Sequence, residues 1–172
     1  MNYMKKTTIA LLFIAFCSVI ALSSCSKDSD DDGGNDPTPT VTNELSFVVN
    51  GGAYTNQTFT FKATASAIYD LALDATGCVF TDAAGNSALL SFTGHTSGTY
   101  TISDDDGLGV FLNNNTTIMA LTGGTIVVNT YGTVGNVISG TFSGTGVVST
   151  NFGVPDTITL ANGKFRATRV SK

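Results

Sequence analysis

Short apolar and β-branched runs alternate with Gly, Asn and Asp along most of this chain. Stretches such as "TFTFKA" (58–63) and "TITL" (157–160) alternate apolar and polar residues one by one, which is typical of half-buried strands. Beyond residue 44 no stretch shows apolar residues at helical spacing among helix-forming residues. The pattern therefore predicts an all-β domain.

The Gly, Asn and Asp residues between these runs predict where the strands end and the turns lie. Strands are predicted at 45–50, 54–64, 67–73, 78–81, 87–93, 98–103, 110–113, 116–122, 124–131, 137–148, 157–161 and 164–170. Asn162-Gly163 predicts a type I′ hairpin, and 50–52, 82–87 and 122–124 predict further tight connections. About ten short strands at such spacing predict an antiparallel β-sandwich or β-barrel.

The first 24 residues have the layout of a signal peptide and not of a strand. Lys5 and Lys6 precede the apolar run "TIALLFIAFCSVIAL" (8–22), and two small residues lead to Cys25. A transmembrane helix is the alternative, but it needs about 20 apolar residues and this run is shorter. We therefore expect residues 1–24 to be removed and residues 44–172 to form a single domain.

Cys25 lies at the end of "LSSC", which resembles the lipobox of bacterial lipoproteins. In that family Leu22, Ser23 and Ser24 would fit the signal peptidase. Cys25 would then become the acylated first residue of the mature chain. The resemblance implies a membrane partner, reached through N-terminal acyl chains.

A short acidic tract follows this cysteine and suggests a destination. Lys27 stands among Asp28, Asp30, Asp31 and Asp32, a like-charge cluster that stays solvated. The tract resembles the export signal of Bacteroidota surface lipoproteins, which implies display on the cell surface. The alternative is a simple spacer facing the periplasm. Pro37 and Pro39 favour an extended continuation, so we expect a spacer over residues 25–43.

The charge balance excludes one class of partner. Without residues 1–24 the chain has six Lys and Arg against 13 Asp and Glu, a formal charge of −7. Nucleic acid and anionic lipid need a basic footprint, so neither is expected as a ligand of the domain. Lys164, Arg166, Arg169 and Lys172 could form a small basic patch, although charged outer faces of a terminal strand are commoner.

Catalytic chemistry has few candidates in residues 44–172. Cys78 is the domain's lone cysteine, in the apolar context "GCVF", which favours a buried, inert thiol over a reactive one. His95 is its lone histidine, in a Gly/Ser/Thr loop. Most of the carboxylates sit at turn-like positions; they are Glu44, Asp70, Asp74, Asp82, Asp104, Asp105, Asp106 and Asp156. We therefore expect no enzyme activity and no cofactor.

Three weaker signals concern ligands. Asp104 and Asp106, before Gly107, match half of a calcium loop, but a solvated acidic turn is the commoner state. "NNNTT" (113–117) is expected to be a polar turn first and a ligand rim second. "DTI" (156–158) resembles an O-glycosylation motif of exported Bacteroidota proteins, which would make Thr157 a glycan site.

Glycan binding usually needs exposed aromatic platforms. The chain has no Trp. Its available tyrosines fall at strand positions, where we expect them in the core or beside it; they are Tyr54, Tyr69, Tyr100 and Tyr131.

The order of "GTY" (98–100), "ISGTFS" (138–143) and "ITLANGKF" (158–165) is similar to a group of uncharacterised Bacteroidota lipoproteins. That resemblance implies a compact β-domain on a lipid tether and assigns no catalytic residue. We expect a non-catalytic binding or accessory module with an unknown protein or glycan ligand. The alternative is a structural subunit of a surface assembly, either fimbria-like or polysaccharide-handling.

Overall fold

The computed structural model describes residues 42–103 and 106–171, which belong to the second of two units in the chain, Thr42–Lys172. This part of the chain holds ten strands and no helix, so the all-β prediction is confirmed. The strands are β1 (Glu44–Gly51), β2 (Tyr54–Phe61), β3 (Thr64–Asp70), β4 (Ala75–Thr81), β5 (Ser87–Thr93), β6 (Gly98–Thr101), β7 (Gly107–Leu112), β8 (Thr117–Tyr131), β9 (Val137–Thr150) and β10 (Asp156–Ser171).

Three long strands organise the sheet. β9 pairs antiparallel with β8 on one side and with β10 on the other. The pairing continues from β10 through β3, β4, β5 and β7 back to β8, so the sheet closes into a ring. Among the pairings of the described residues, β10 with β3 is parallel and the others are antiparallel. This arrangement agrees with the predicted sandwich or barrel.

Two shorter pieces fill the remaining edges. The hairpin of β1 and β2 lies along the first part of β10, between Ile158 and Arg166. β6 lies along the last part of β8, between Thr125 and Val128. β2 and β6 therefore end the described sheet on either side.

Strict alternation explains how the sheet encloses its core. In β1, Leu45, Phe47 and Val49 are fully buried while the residues between them face outward. The Phe47 ring stacks on Phe61 at 6.2 Å and tilts against Phe142 at 5.9 Å. Each such buried side chain contributes about 1.5–3 kcal/mol, so the ring of strands is stabilised from inside.

The predicted hairpin at Asn162-Gly163 is wrong. The chain does not reverse there: Leu160 pairs with Gly144 and Gly163 with Phe142, so β10 runs on along β9 through a bulge. Asn162 has the positive φ of 55° that such a dipeptide favours, but a bulge uses that conformation as well as a turn does. Two predicted strands therefore merge into β10.

The predicted connection at 122–124 is wrong for the same reason. Leu121 pairs with Gly146 and Gly123 with Thr145, so β8 continues through a bulge. The two long strands approach closely there: a Cβ on Gly144 would lie 2.0 Å from the Gly123 carbonyl oxygen. The connections predicted at 50–52 and 82–87 are confirmed, between β1 and β2 and between β4 and β5.

Six of the connections between the strands of the described residues gather in two places, which we name after one residue each. The Arg169 end comprises the β3–β4 turn (71–74), the β5–β6 loop (94–97), the β8–β9 turn (132–136) and the last residues of β10. Backbone hydrogen bonds join Gly94 to Asp74 and Gly135 to Arg169 there.

The Phe152 end comprises the β4–β5 turn (82–86), the β7–β8 turn (113–116) and the β9–β10 loop (151–155). The Asn151 N–H donates to the Thr116 carbonyl at 2.6 Å, and the Asn113 N–H donates to Asn86 Oδ1 at 2.9 Å. These two bonds hold the three connections side by side.

Candidate functional site

Several residues singled out from the sequence lie outside the described part of the chain. They are Leu22, Ser23, Ser24, Cys25, Lys27, Asp28, Asp30, Asp31, Asp32 and Asp104. The anchor, the export tract and half of the calcium candidate therefore stay predictions.

Asp106, the other half of the calcium candidate, contacts a neighbouring strand. Its Oδ1 accepts hydrogen bonds from the Thr93 N–H at 2.6 Å and from the Thr93 hydroxyl at 2.8 Å. The carboxylate therefore ties the end of β5 to the start of β7. Within residues 42–103 and 106–171, no three His, Cys, Asp or Glu side chains gather as a metal site would require.

The densest group of chemistry-bearing side chains lies at the Arg169 end. The Tyr69 hydroxyl donates to Asp74 Oδ1 at 2.7 Å, and His95 Nδ1 lies 3.4 Å from the same oxygen. The rings of Tyr69 and His95 are 4.7 Å apart. The register of the β4–β5 hairpin creates this group, because it sets Ala75 opposite Thr93 and so brings Asp74 to the following loop.

Arg169 completes this cluster from β10. Its guanidinium lies over Tyr69 at 5.8 Å and over Tyr131 at 5.2 Å, and it donates to the Gly132 carbonyl at 3.2 Å. The Tyr131 hydroxyl lies 2.8 Å from the Thr76 hydroxyl, which donates to the Gly94 carbonyl at 2.7 Å. Of the four cations that could form a basic patch, Lys164 is exposed, Arg166 is half-buried, Arg169 is half-buried beside aromatic rings, and Lys172 lies outside the described residues. Arg169 therefore does not fit the commoner alternative of a charged outer face.

The electrostatics of this cluster follow from the shared carboxylate. The hydrogen bond from Tyr69 holds the pKa of Asp74 below its usual value, with a smaller contribution from His95. The same bond raises the pKa of the Tyr69 hydroxyl, and burial adds to that rise. Both the carboxylate and the phenol are therefore stabilised in the states they already hold at neutral pH. A proton-transfer pair would instead need pKa values close to the working pH.

The other predicted acids do not converge on His95. Asp70 Oδ1 accepts bonds from the N–H groups of Ala72 and Leu73 within its own turn. Burial by itself would raise the pKa of Asp82, but hydrogen bonds from Asn86 and from turn N–H groups outweigh it and lower that pKa. Cys78 is fully buried, and burial raises the pKa of its thiol to about 12. A thiol in that environment is a poor nucleophile.

The Phe152 end differs from the Arg169 end in having polar turn residues with positive φ values and, among its described residues, no cluster of acid–base side chains. Asn113, Asn114 and Asn115 take φ values of 52°, 56° and 65° in the four-residue β7–β8 turn. Asn adopts this left-handed conformation more readily than other non-glycine residues, which explains the run of asparagines. The polar turn expected at 113–117 is therefore confirmed for residues 113–116, and Thr117 begins β8.

Phe152 is the residue that sequence reasoning missed. It lies in the β9–β10 loop, and its side chain is 80 % exposed. Val154, two residues further along the loop, is 91 % exposed. The search for aromatic platforms considered only Trp and Tyr, so it missed this phenylalanine. The tyrosines themselves pack on the core as expected. The available signal was an aromatic residue inside "TNFGVPD" (150–156), a turn-like stretch between two predicted strands.

Two further surface features complete the survey. Thr157, the proposed glycosylation site, is exposed at the start of β10 and remains a prediction. A groove of about 530 Å³ lies on the outer face of β8, β9 and β10 near the bulges; Thr125, Thr141, Ser143, Asn162 and Lys164 line it. It is wide open, so a ligand there would stay largely solvated.

No known family model matches this chain, and searches of curated proteins and of solved structures find no similar protein. No helix in the described residues is long and apolar enough to cross a membrane.

Proposed function

We propose that this protein is a lipid-anchored extracytoplasmic lipoprotein, displayed on the outer surface of a Bacteroidota-type cell, whose β-domain is a non-catalytic binding module. One observation carries the proposal: Cys25 follows an apolar run and two small residues, and an acidic tract begins directly after it. A single acyl chain binds a bilayer only marginally, at about 0.8 kcal/mol per buried CH₂. Two or three chains on Cys25 make the attachment stable.

The position at which the fold begins supports a binding role. The described chain starts at Thr42, and the Asn43 side chain donates to the Thr168 hydroxyl at 2.7 Å, next to Arg169. Asp156, which follows the β9–β10 loop, lies twelve residues before Thr168 on β10. At about 3.3 Å per residue this is roughly 40 Å of strand path. The first described residues therefore lie at the opposite end of β10 from the Phe152 end.

The engaged state of the acid–base groups supports a non-catalytic role. His95 and Asp74 are 56 % and 62 % exposed, and their contact is a surface pair. Such surface pairs contribute little to stability. Asp70, Asp82 and Asp106 bond to their own turns or to a neighbouring strand, which favours binding over catalysis.

The alternative, a structural subunit of a surface assembly, rests on the outer edge of β2. This eight-residue strand ends the sheet, and four of its side chains in a row are exposed. Asn56 has a φ of 47° and lies in a bulge opposite β1, which interrupts the edge as a template for a further strand. A concentration series by light scattering separates the two functions, because a binding module stays monomeric and a subunit polymerises.

The anchor is tested in cells with three versions of the full chain. We express wild type, Cys25→Ser and Cys17→Ser in a Bacteroidota host, label with an alkyne fatty acid and add protease to intact cells. Cys17 lies in the apolar run before the lipobox, so its variant controls for loss of a thiol alone. We expect wild type and Cys17→Ser to be labelled and shaved, and Cys25→Ser to be unlabelled.

The destination is tested in the same cells. Replacing Asp28, Asp30, Asp31 and Asp32 with Asn removes the charge of the tract and keeps its length. We expect this variant to be labelled but protected from protease. If wild type is labelled but protected from protease, the module faces the periplasm. If wild type is not labelled, the proposal that Cys25 carries a lipid anchor is wrong.

A further inference from the structure

We infer that the Phe152 end binds a neutral glycan, with the Phe152 ring as stacking platform and the nearby asparagine amides as partners for its hydroxyls. This inference deepens the proposed binding role and rests on it. It does not depend on where the cell displays the protein.

The backbone at Phe152 is the first argument. Asn151 and Phe152 have φ values of 51° and 57°, and the Gly153 N–H donates to the Thr150 carbonyl at 3.0 Å. These are the central positions of a type I′ turn, where Asn-Gly is the favoured pair. A bulky residue at the second position costs about 1–2 kcal/mol relative to glycine. Neither the turn nor the core calls for a phenyl ring there.

The exposure of the ring is the second argument. Phe152 makes no ring contact with another aromatic side chain among the described residues, whereas Phe92 contacts both Tyr100 and Tyr131. Strained residues and exposed aromatic rings both concentrate at binding sites. The Phe152 ring lowers the stability of the turn and does not pack on the core. A ligand that stacks on the ring explains why it is there.

The neighbouring amides are the third argument. The β7–β8 turn is tied directly to this loop through the bond from Asn151 to Thr116. In the described part of the chain, the side-chain amides of Asn113, Asn114, Asn115 and Asn151 make no hydrogen bond to protein. Each amide group offers two N–H donors and an accepting oxygen. The set matches the mixed donor and acceptor character of sugar hydroxyls.

The absence of strong local charge identifies the ligand as neutral. The described residues 82–86, 113–116 and 151–156 include no Lys or Arg, so these three connections offer no counter-charge to a phosphate, sulfate or carboxylate. The nearest exposed cation along the chain pairing is Lys62, before Ala63, whose N–H bonds to Thr81. Asp82 is already engaged by its own turn, which leaves Asp156 as the free carboxylate of this end. An anionic polysaccharide would be repelled weakly rather than held.

The small apolar area favours a glycan over a protein partner. Phe152 and Val154 are the large exposed apolar side chains here. A specific protein interface buries about 800 Å² on each side, around several aromatic or arginine anchors. One aromatic ring bordered by amides is instead suited to the apolar CH face and the hydroxyl rim of a sugar ring.

The test uses the mature chain 25–172 with Cys25→Ser, which removes the anchor and leaves the rest unchanged. Native gels containing a soluble neutral polysaccharide measure retardation; we use β-glucan, α-glucan, mannan, galactan and xylan in turn. We expect retardation by at least one of them. Phe152→Ala should weaken that affinity at least about tenfold, Asn114→Ala severalfold, and Phe152→Tyr should retain it.

Leu71→Ala is the matched control, because Leu71 is 79 % exposed at the Arg169 end. It should bind as the parent chain does. Retardation by none of the five polysaccharides, unchanged affinity in Phe152→Ala, or equal loss in Leu71→Ala would each overturn the inference. Thermal unfolding of every variant verifies that a loss of binding is not a loss of fold. Since no anchor is present, failure here leaves the lipoprotein proposal intact.

Discussion

The two ends of the domain invite opposite interpretations. The Arg169 end holds the residue types associated with catalysis, a histidine, a carboxylate, tyrosines and an arginine, within a few ångströms of one another. The Phe152 end holds asparagines, a proline and one exposed phenylalanine. Residue type alone would select the first end as the functional site.

The state of the side chains reverses that choice. At the Arg169 end the Tyr69, Asp74 and Thr76 side chains bond to each other or to nearby groups, and the arginine is stacked between rings. Partners that already satisfy one another stabilise a fold and leave little for a ligand. At the Phe152 end, exposed groups and strained backbone have no such internal explanation. Arg169 Nε is the exception at the Arg169 end, because this buried atom has no hydrogen-bond partner among the described residues. The exposed ring and the strained backbone at Phe152 are therefore the better guide to recognition here.

The same substitution at the two ends should give the largest contrast. Phe92 is fully buried and contacts Tyr100 at 4.8 Å, so we expect Phe92→Ala to lower the free energy of unfolding by about 3–5 kcal/mol. We expect Phe152→Ala to change it by less than about 0.5 kcal/mol. Urea unfolding of both variants measures the difference. A large loss in Phe152→Ala would mean that its ring packs in solution and is not displayed.

Arg169 offers a second contrast, this time between cations of one strand. Arg169→Ala removes two ring contacts and a charged hydrogen bond, so we expect a loss of about 1–3 kcal/mol. Lys164→Ala, at an exposed position of β10, should stay within about 0.5 kcal/mol of wild type. Equal effects of the two substitutions in urea unfolding would show that the Arg169 cluster adds no stability.

Phe152→Gly should make the protein more stable. Glycine relieves the left-handed conformation, and its greater freedom in the unfolded chain offsets part of that gain, which leaves about 0.5–1 kcal/mol. Asn114→Gly is the control, and it should gain less because Asn tolerates this conformation already. A destabilised Phe152→Gly variant would remove the argument that the ring is kept at the expense of stability.

The sequence predicted the class of fold because alternation records which face of a strand is buried. It misplaced two connections because local residues determine the sign of φ and not the path of the chain. Asn162-Gly163 suits a type I′ turn and a bulge alike, and only the continued pairing of Lys164 with Thr141 decides between them. That pairing depends on β9, more than twenty residues away, which a local pattern does not record.

The candidate sites were less predictable for a related reason. Asp74 and His95 are 21 residues apart and meet only through the exact register of a hairpin. Phe152 stands in the sequence as one more apolar residue, and its significance comes from exposure and backbone angle, which are properties of the folded chain. The resemblance of residues 22–25 to a lipobox is different, because a motif of that kind is read from local sequence alone.

The smallest expected effect concerns the pH dependence of the Arg169 end. The hydrogen bond from Tyr69 lowers the pKa of Asp74 from its usual 3.8, more than partial burial raises it. Since the folded-state pKa lies below that of the unfolded chain, the stabilisation is complete above about pH 5 and is lost as the pH falls through the folded-state value.

We therefore expect the difference in unfolding free energy between wild type and Asp74→Asn to be smaller below pH 4 than at pH 5, because protonation of Asp74 removes its bonds to Tyr69 and His95. Asp74 is 62 % exposed, so water screens the effect and keeps it the smallest of those predicted here. In a Tyr69→Phe background the donor is gone, and the pH dependence of the same difference should weaken further. A difference that persists unchanged to pH 2.5 would mean that the ionised carboxylate gains nothing from Tyr69, and that the cluster owes its stability to ring packing alone.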